Sequence, residues 1–228
     1  TAAFGQILSE ELLSIPRFGV INVHGSLLPK YRGASPVQQA ILNGDKITGI
    51  TIMRTAYAVD SGDILLQKSI TIGDDETAGE LFDRLSILGA EALIEAVGLI
   101  ESGEAVYTPQ NHSEASYCRM LTKESGLIDF SKSIEELHNF VRGLNPWPAA
   151  YTYLDGKMFK IWRVKNLGFG ISAVPGTIVK ANVKDGIAVQ TKDAAAALVE
   201  VQLAGGRRMS GAEFAAGHKE IEGKVLSK

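Results

Sequence analysis

The stretch Gly19-Val20-Ile21-Asn22-Val23-His24-Gly25-Ser26-Leu27-Leu28-Pro29 decides how the first half of the chain is read. Its opening is short, apolar and β-branched, which predicts a buried strand of a parallel sheet. The strand ends in two polar residues, Asn22 and His24. They are two positions apart, so both side chains project from one face. In open α/β sheets, ligands gather beyond the carboxyl ends of the strands. The loop that follows carries Pro29 and Gly33, and Ser35-Pro36 then supplies a helix cap and a proline at the first helical position.

The rest of the first half is consistent with that reading. Gln6 to Leu13 has helical spacing and Pro16 closes it. Thr48 to Met53 and Ile64 to Ile72 read as strands, separated by the turn Asp60-Ser61-Gly62-Asp63. Thr77-Ala78-Gly79-Glu80 is a capping box that opens a long amphipathic helix ending near Gly103. Residues 1–104 therefore form an α/β domain. Residues 105–124 lose periodicity around Pro109 and are expected to be a linker. In residues 125–228, Ser133-Ile134-Glu135-Glu136 caps a helix. Asp155-Gly156 and Lys184-Asp185 mark two hairpins, Leu198 to Leu203 adds a strand, and Ser210 caps a short last helix. Strands at such short spacing predict a small β-rich barrel.

The chain has 228 residues, 45% of them hydrophobic and 21% charged, which excludes disordered, collagen-like and disulfide-scaffold classes. The single cysteine, Cys118, can form neither an internal disulfide nor a multi-thiolate metal site, which points to a reducing compartment. No apolar run reaches membrane length and no secretory leader pattern is visible, so a cytoplasmic protein without a membrane partner is expected. None of the four histidines stands at metal-ligand spacing to another His or to Cys, and no metal is expected. The net charge of −3 is unevenly divided. Residues 1–125 hold 9 Lys+Arg and 16 Asp+Glu, and residues 126–228 hold 14 and 10. A basic second half suits a polyanionic partner.

Asn22, His24 and Asp60 would make a usable acyl-transfer site if they met at one pocket. When an amine attacks a carbonyl carbon, negative charge develops on oxygen and a proton must leave nitrogen. An amide N–H stabilises the oxyanion, an imidazole moves the proton, and a carboxylate orients the imidazole. Spacing by itself leaves the structural alternative open, because Asn-x-His is common on strands and Asp60 also suits a simple turn.

The longer string settles the choice. Asn22-Val23-His24-Gly25-Ser26-Leu27-Leu28-Pro29, Tyr31-Arg32-Gly33, Ser35-Pro36 and Asp60-Ser61-Gly62-Asp63-Ile64-Leu65 together resemble the folate-dependent formyltransferases. Ile128-Asp129-Phe130, the run Arg142 to Ala149 and Lys160-Ile161-Trp162 are similar to the members of that family that act on methionyl-tRNA. The resemblance implies a Rossmann-like catalytic domain followed by an OB-like (oligonucleotide-binding) domain that helps hold tRNA. It makes Asn22, His24 and Asp60 the catalytic trio and places Ser26, Leu27, Leu28 and Pro29 at the folate site. It implies 10-formyltetrahydrofolate as donor, tetrahydrofolate as product and the methionine of initiator Met-tRNA as acceptor. Within the resemblance, Arg32, Lys157, Lys160, Arg163, Lys165, Arg207 and Arg208 are candidate tRNA phosphate contacts, and Trp147 and Trp162 are expected to be packing residues. Family members carry a further half-domain before this point, so the first sheet is expected to lack strands that another chain could cover. A sugar-nucleotide N-formyltransferase and a tRNA-binding fragment without catalysis are the alternatives.

Overall fold

A computed structural model describes every residue except Ala3, Phe4, Ile7, Ile171, Lys219 and Lys228. The chain divides into two compact units. One comprises residues 1–41 and 45–121; the other comprises residues 42–44 and 122–228.

The first unit contains α1 (Glu10–Ser14), β1 (Ile21–His24), β2 (Arg32–Gly33), α2 (Pro36–Leu42), β3 (Ile47–Arg54), β4 (Ile64–Thr71), α3 (Ala78–Ser102) and β5 (Tyr117–Cys118). α1 is shorter than its apolar spacing predicts, because Ser9 caps it by accepting from the Leu12 N–H; the predicted start at Gln6 runs through Ile7, outside the described residues. The main sheet has the order β1-β3-β4. Both pairings are antiparallel, with Asn22 opposite Met53 and His24 opposite Thr51. In this unit, parallel pairing is found at a bridge between Ala2 and Val23 and between β2 and β5. An apolar run reports burial on both faces, which any central strand needs. It carries no information about strand direction. β3 is that central strand, with its six inner residues all buried.

α3 begins at the Thr77–Glu80 capping box and ends at Gly103 in the left-handed conformation. It buries Leu81, Leu85, Ala92 and Ala96 in one cluster with Ile50, Ile52 and Ile41. The segment expected as a linker belongs to this unit up to residue 121. Thr108 bridges Ile64, and β5 pairs with β2.

The second unit contains α4 (Ile134–Gly143), β6 (Ala150–Leu154), β7 (Lys157–Asn166), β8 (Ile178–Asn182), β9 (Gly186–Gln190), β10 (Ala195–Leu203), β11 (Met209–Ser210) and α5 (Gly211–Gly217). Asp155 (φ 51°) and Gly156 (φ 74°) form the β6–β7 turn with the two positive φ values that a tight hairpin needs. The sheet order is β6-β7-β10-β9-β8, antiparallel throughout, with β11 beside β10. No ladder joins β6 to β8. Instead the chain end spans the gap, with Ser227 bridging Tyr153 and Val225 bridging Thr177. The expected barrel is thus a curled sheet whose edges meet through isolated bridges. Its interior is filled by Phe159, Ile161, Ile178, Val189, Leu198 and Phe214.

Candidate active site

β1 presents Asn22 and His24 on one face, as their spacing requires. His24 is buried, and its Nε2 donates to the Tyr31 carbonyl at 2.9 Å. A carbonyl only accepts, so Nε2 carries a proton and Nδ1 is the remaining nitrogen. Nδ1 faces Asp60 Oδ2 at 3.6 Å, too long for a hydrogen bond but close for an electrostatic contact. The same Oδ2 accepts from the Gly33 N–H at 2.8 Å. Asn22 Oδ1 accepts from the Thr1 hydroxyl at 2.9 Å, which leaves its amide NH2 as that side chain's available donor. His24 and Asp60 therefore meet, and Asn22 lies on the same strand face.

The Asp60 turn is closely fitted. Asp60 has φ 48°, a conformation few residues other than glycine adopt. A Cβ on Gly62 would overlap the Arg54 carbonyl oxygen, so only glycine lets the turn pass that strand. Gln110, buried, donates from Nε2 to the carbonyls of Asp60 at 2.9 Å and Gly62 at 2.7 Å. Its Oε1 accepts from Arg32 Nε at 3.1 Å and from Nη2 at 2.6 Å. Sequence reasoning missed Gln110, because it lies in an aperiodic stretch and its partners are 48 to 78 positions away. Arg32 must be corrected. It is 2% exposed, and its guanidinium also contacts the Tyr117 hydroxyl at 3.3 Å and His112 Nδ1 at 3.0 Å, so it has no face for a tRNA phosphate.

The Ser26–Pro29 loop is held from β3 and β4. Thr51, fully buried opposite His24, donates its hydroxyl to the Ser26 carbonyl at 2.7 Å and accepts from the Leu28 N–H at 3.0 Å. Gln67 donates to the Leu28 carbonyl and to Thr51 Oγ1. Ser26 is also fully buried and donates to the Lys30 carbonyl at 2.6 Å. Ser26 and Leu28 thus shape the loop. Leu27 and Pro29 reach a cavity of 740 Å³, where Lys30, Tyr31, Asp45 and Thr48 join them. The apolar Leu27 and Pro29 beside polar groups suit a flat ring carrying polar substituents.

Cys118, next to this site, is a buried thiol. Burial pushes it above the ordinary cysteine range, and the charge of Asp60 adds to the effect, so it stays protonated and is no nucleophile. Among the described residues no group of three metal-ligating side chains is found, and no helix is long and apolar enough to cross a membrane.

In the second unit the predicted cations all lie on β7 or near β11. Lys160 and Arg208 flank Trp162, with the charged groups 5.6 and 3.9 Å from its ring. The Trp162 N–H donates to Gln202 Oε1 at 3.2 Å. Trp162 is therefore partly open between two cations instead of packed inside, and Trp147 is half exposed. Arg208 pairs with Glu200 and Arg207 with Glu213. Lys157, Arg163 and Lys165 are exposed along the same strand.

Residues 1–97 match the formyl transferase family profile, and residues 120–219 match that of the formyl transferase C-terminal domain. The chain is 49% identical to the methionyl-tRNA formyltransferase of Agathobacter rectalis, over 99% of this chain and 72% of the relative. It is 49% identical to that of Acetivibrio thermocellus, over 99% and 73%. Its fold is similar to that of HypX from Aquifex aeolicus, a structure solved with tetrahydrofolic acid, with a TM-score of 0.66 at 17% identity, covering 90% of this chain and 36% of that one.

Proposed function

The chain belongs to the formyl transferase family, and on that premise we propose that it carries a formyl group from 10-formyltetrahydrofolate to the α-amino group of methionine on initiator tRNA. One observation supports the chemistry most directly. His24 is clamped by Tyr31 at Nε2 and faces Asp60 at Nδ1, with Asn22 on the same strand face. Asn22 offers its amide N–H to the formyl oxygen as negative charge develops there. The methionine amine attacks the formyl carbon, and the proton it loses goes to His24 Nδ1, the nitrogen that Tyr31 does not engage. As the tetrahedral intermediate collapses, the bond from the formyl carbon to N10 of the folate breaks, and N10 takes that proton from the imidazolium and leaves as tetrahydrofolate. The Asp60 carboxylate stabilises the resulting imidazolium and holds the ring in place, while its own position is set by the Gly33 N–H. No protein nucleophile is needed. Leu27 and Pro29 are the donor contacts, and Ser26 and Leu28 fix the loop that presents them.

For the acceptor, Lys160, Trp162 and Arg208 form the platform best suited to a phosphate next to an unstacked base. Lys157, Arg163, Lys165 and Arg207 extend its positive edge. This surface and the 49% identity to curated methionyl-tRNA formyltransferases favour tRNA over an amino-sugar nucleotide. The proposed setting is the cytoplasm.

The test is formylation of methionyl-tRNA by the intact protein. Asp60→Asn should lower kcat by roughly 10²- to 10⁴-fold, the range of a lost acid–base partner, with an unchanged melting temperature. Near-normal turnover in that variant would remove Asp60 from the mechanism. Formylation of an amino-sugar nucleotide with none of methionyl-tRNA would replace the acceptor.

A further inference from the structure

We infer that Gln110 is a positioning residue for Asp60, an inference that rests on the role given to Asp60 above. A primary amide has two N–H donors and an oxygen with two acceptor sites. At Gln110 all four are taken. The two donations go to the Asp60 and Gly62 carbonyls, and both acceptor sites go to Arg32. The side chain thereby joins the two pieces of backbone that set the Asp60 carboxylate. One is the turn that carries Asp60. The other is the Arg32–Gly33 strand, whose Gly33 N–H donates to Asp60 Oδ2. Asp60 sits at φ 48°, and a conformation of that kind persists only where its surroundings over-determine it. Gln110 supplies that constraint from the interior, where water does not compete, since it is 6% exposed and Arg32 is 2% exposed. No other common side chain reproduces the set. Glutamate accepts from Arg32 but cannot donate to the turn, and lysine would oppose the guanidinium.

Gln110→Glu in the intact protein separates positioning from packing. It keeps the volume and both acceptors for Arg32, adds a charge pair, and deletes the two bonds to the turn. The readouts are the melting temperature, hydrogen exchange of the Gly33 amide, and kcat and KM for formylation. The expected result has three parts. Melting falls below that of the wild type, because two buried carbonyls lose their donor, yet the variant stays folded at the assay temperature. Gly33 exchange is about ten-fold faster or more. kcat falls between about ten-fold and 10²-fold, as for a small misplacement of a reacting group, with KM for methionyl-tRNA held within about three-fold. Wild-type Gly33 protection, or wild-type kcat in a folded variant, would overturn the inference. If the unsubstituted protein formylates nothing, the function fails, and the positioning role is still judged by Gly33 exchange alone.

Discussion

Thr51→Val removes one oxygen atom and nothing else from the site. Valine has nearly the shape of threonine, so the core around β3 keeps its packing. What is lost is the hydroxyl that donates to the Ser26 carbonyl and accepts from the Leu28 N–H. Gln67 retains its bond to the Leu28 carbonyl and loses only its second acceptor. Thr51 is fully buried, so two backbone groups are left without partners where water cannot easily replace them. Each costs about 1–3 kcal/mol, and allowing for some relaxation the sum is about 3 kcal/mol. For a chain of this size that lowers the melting temperature by roughly 6–12 °C. Thr51→Ser is the control: it keeps the hydroxyl, deletes one methyl and costs about 1 kcal/mol. Thermal unfolding should therefore rank wild type, Thr51→Ser and Thr51→Val in that order. The loop carries Leu27 and Pro29 into the cavity, so KM for the folate donor should rise in Thr51→Val and return toward normal in Thr51→Ser. A Thr51→Val melt within about 1 °C of wild type would show that the loop's backbone is satisfied in some other way and that the hydroxyl clamp contributes nothing.

Gly62→Ala should reduce kcat more than it reduces stability, because its Cβ meets the Arg54 carbonyl and the turn must shift Asp60 to relieve the overlap; steady-state kinetics and melting on the same sample check this. In the second unit the Ser133 N–H holds the Glu136 carboxyl below the usual carboxylate range, the Ser210 N–H does the same for Glu213, and the Ile134 N–H does so for Asp193. Folded values lower than the unfolded 4.5 and 3.8 mean stabilisation that is complete above those values and lost as the pH falls through the folded ones. The melting temperature should therefore hold from pH 7 to about pH 5 and fall below about pH 4, and Glu136→Gln with Glu213→Gln should flatten that fall. Replacing both Lys160 and Arg208 by glutamine should weaken tRNA binding and reduce the slope of log affinity against log salt by about two phosphate contacts; an unchanged slope would move the tRNA surface elsewhere.

The sequence makes the local devices legible. The capping boxes at Thr77, Ser133 and Ser210, the Asp155-Gly156 turn and the two-residue spacing of Asn22 and His24 are set by residues within a few positions of one another. Strand direction is not of that kind. β1 and β3 are joined through β2 and the seven-residue helix α2, a separation that suits a parallel crossover, yet they run antiparallel. The apolar run in β1 is compatible with either direction, since both bury the strand on two sides. Arg32 shows a related failure. A cation in a glycine- and proline-bearing loop reads as exposed, and only the partners brought in from residues 110–117 make it an interior residue.

Those partners also explain why residues 105–121 resist interpretation by pattern. Periodicity detects apolar side chains that share a face, whereas Gln110 contributes to the site through hydrogen bonds, which leave no repeat in the sequence. A buried amide among polar neighbours looks like any surface glutamine until its four bonds are located. The same holds for Thr51, which looks like an ordinary β-branched strand residue yet organises the loop beside His24. The proposed catalytic trio can be read from a motif because its members would carry the chemistry themselves. The residues that aim it have been chosen for where their partners are, and that depends on the fold: on the register that sets His24 opposite Thr51, and on the return of β5 to pair with β2. A substitution that spares the trio and disturbs one of these supports should therefore lower turnover in a protein that still folds, which makes Thr51 and Gln110 the more informative positions to change.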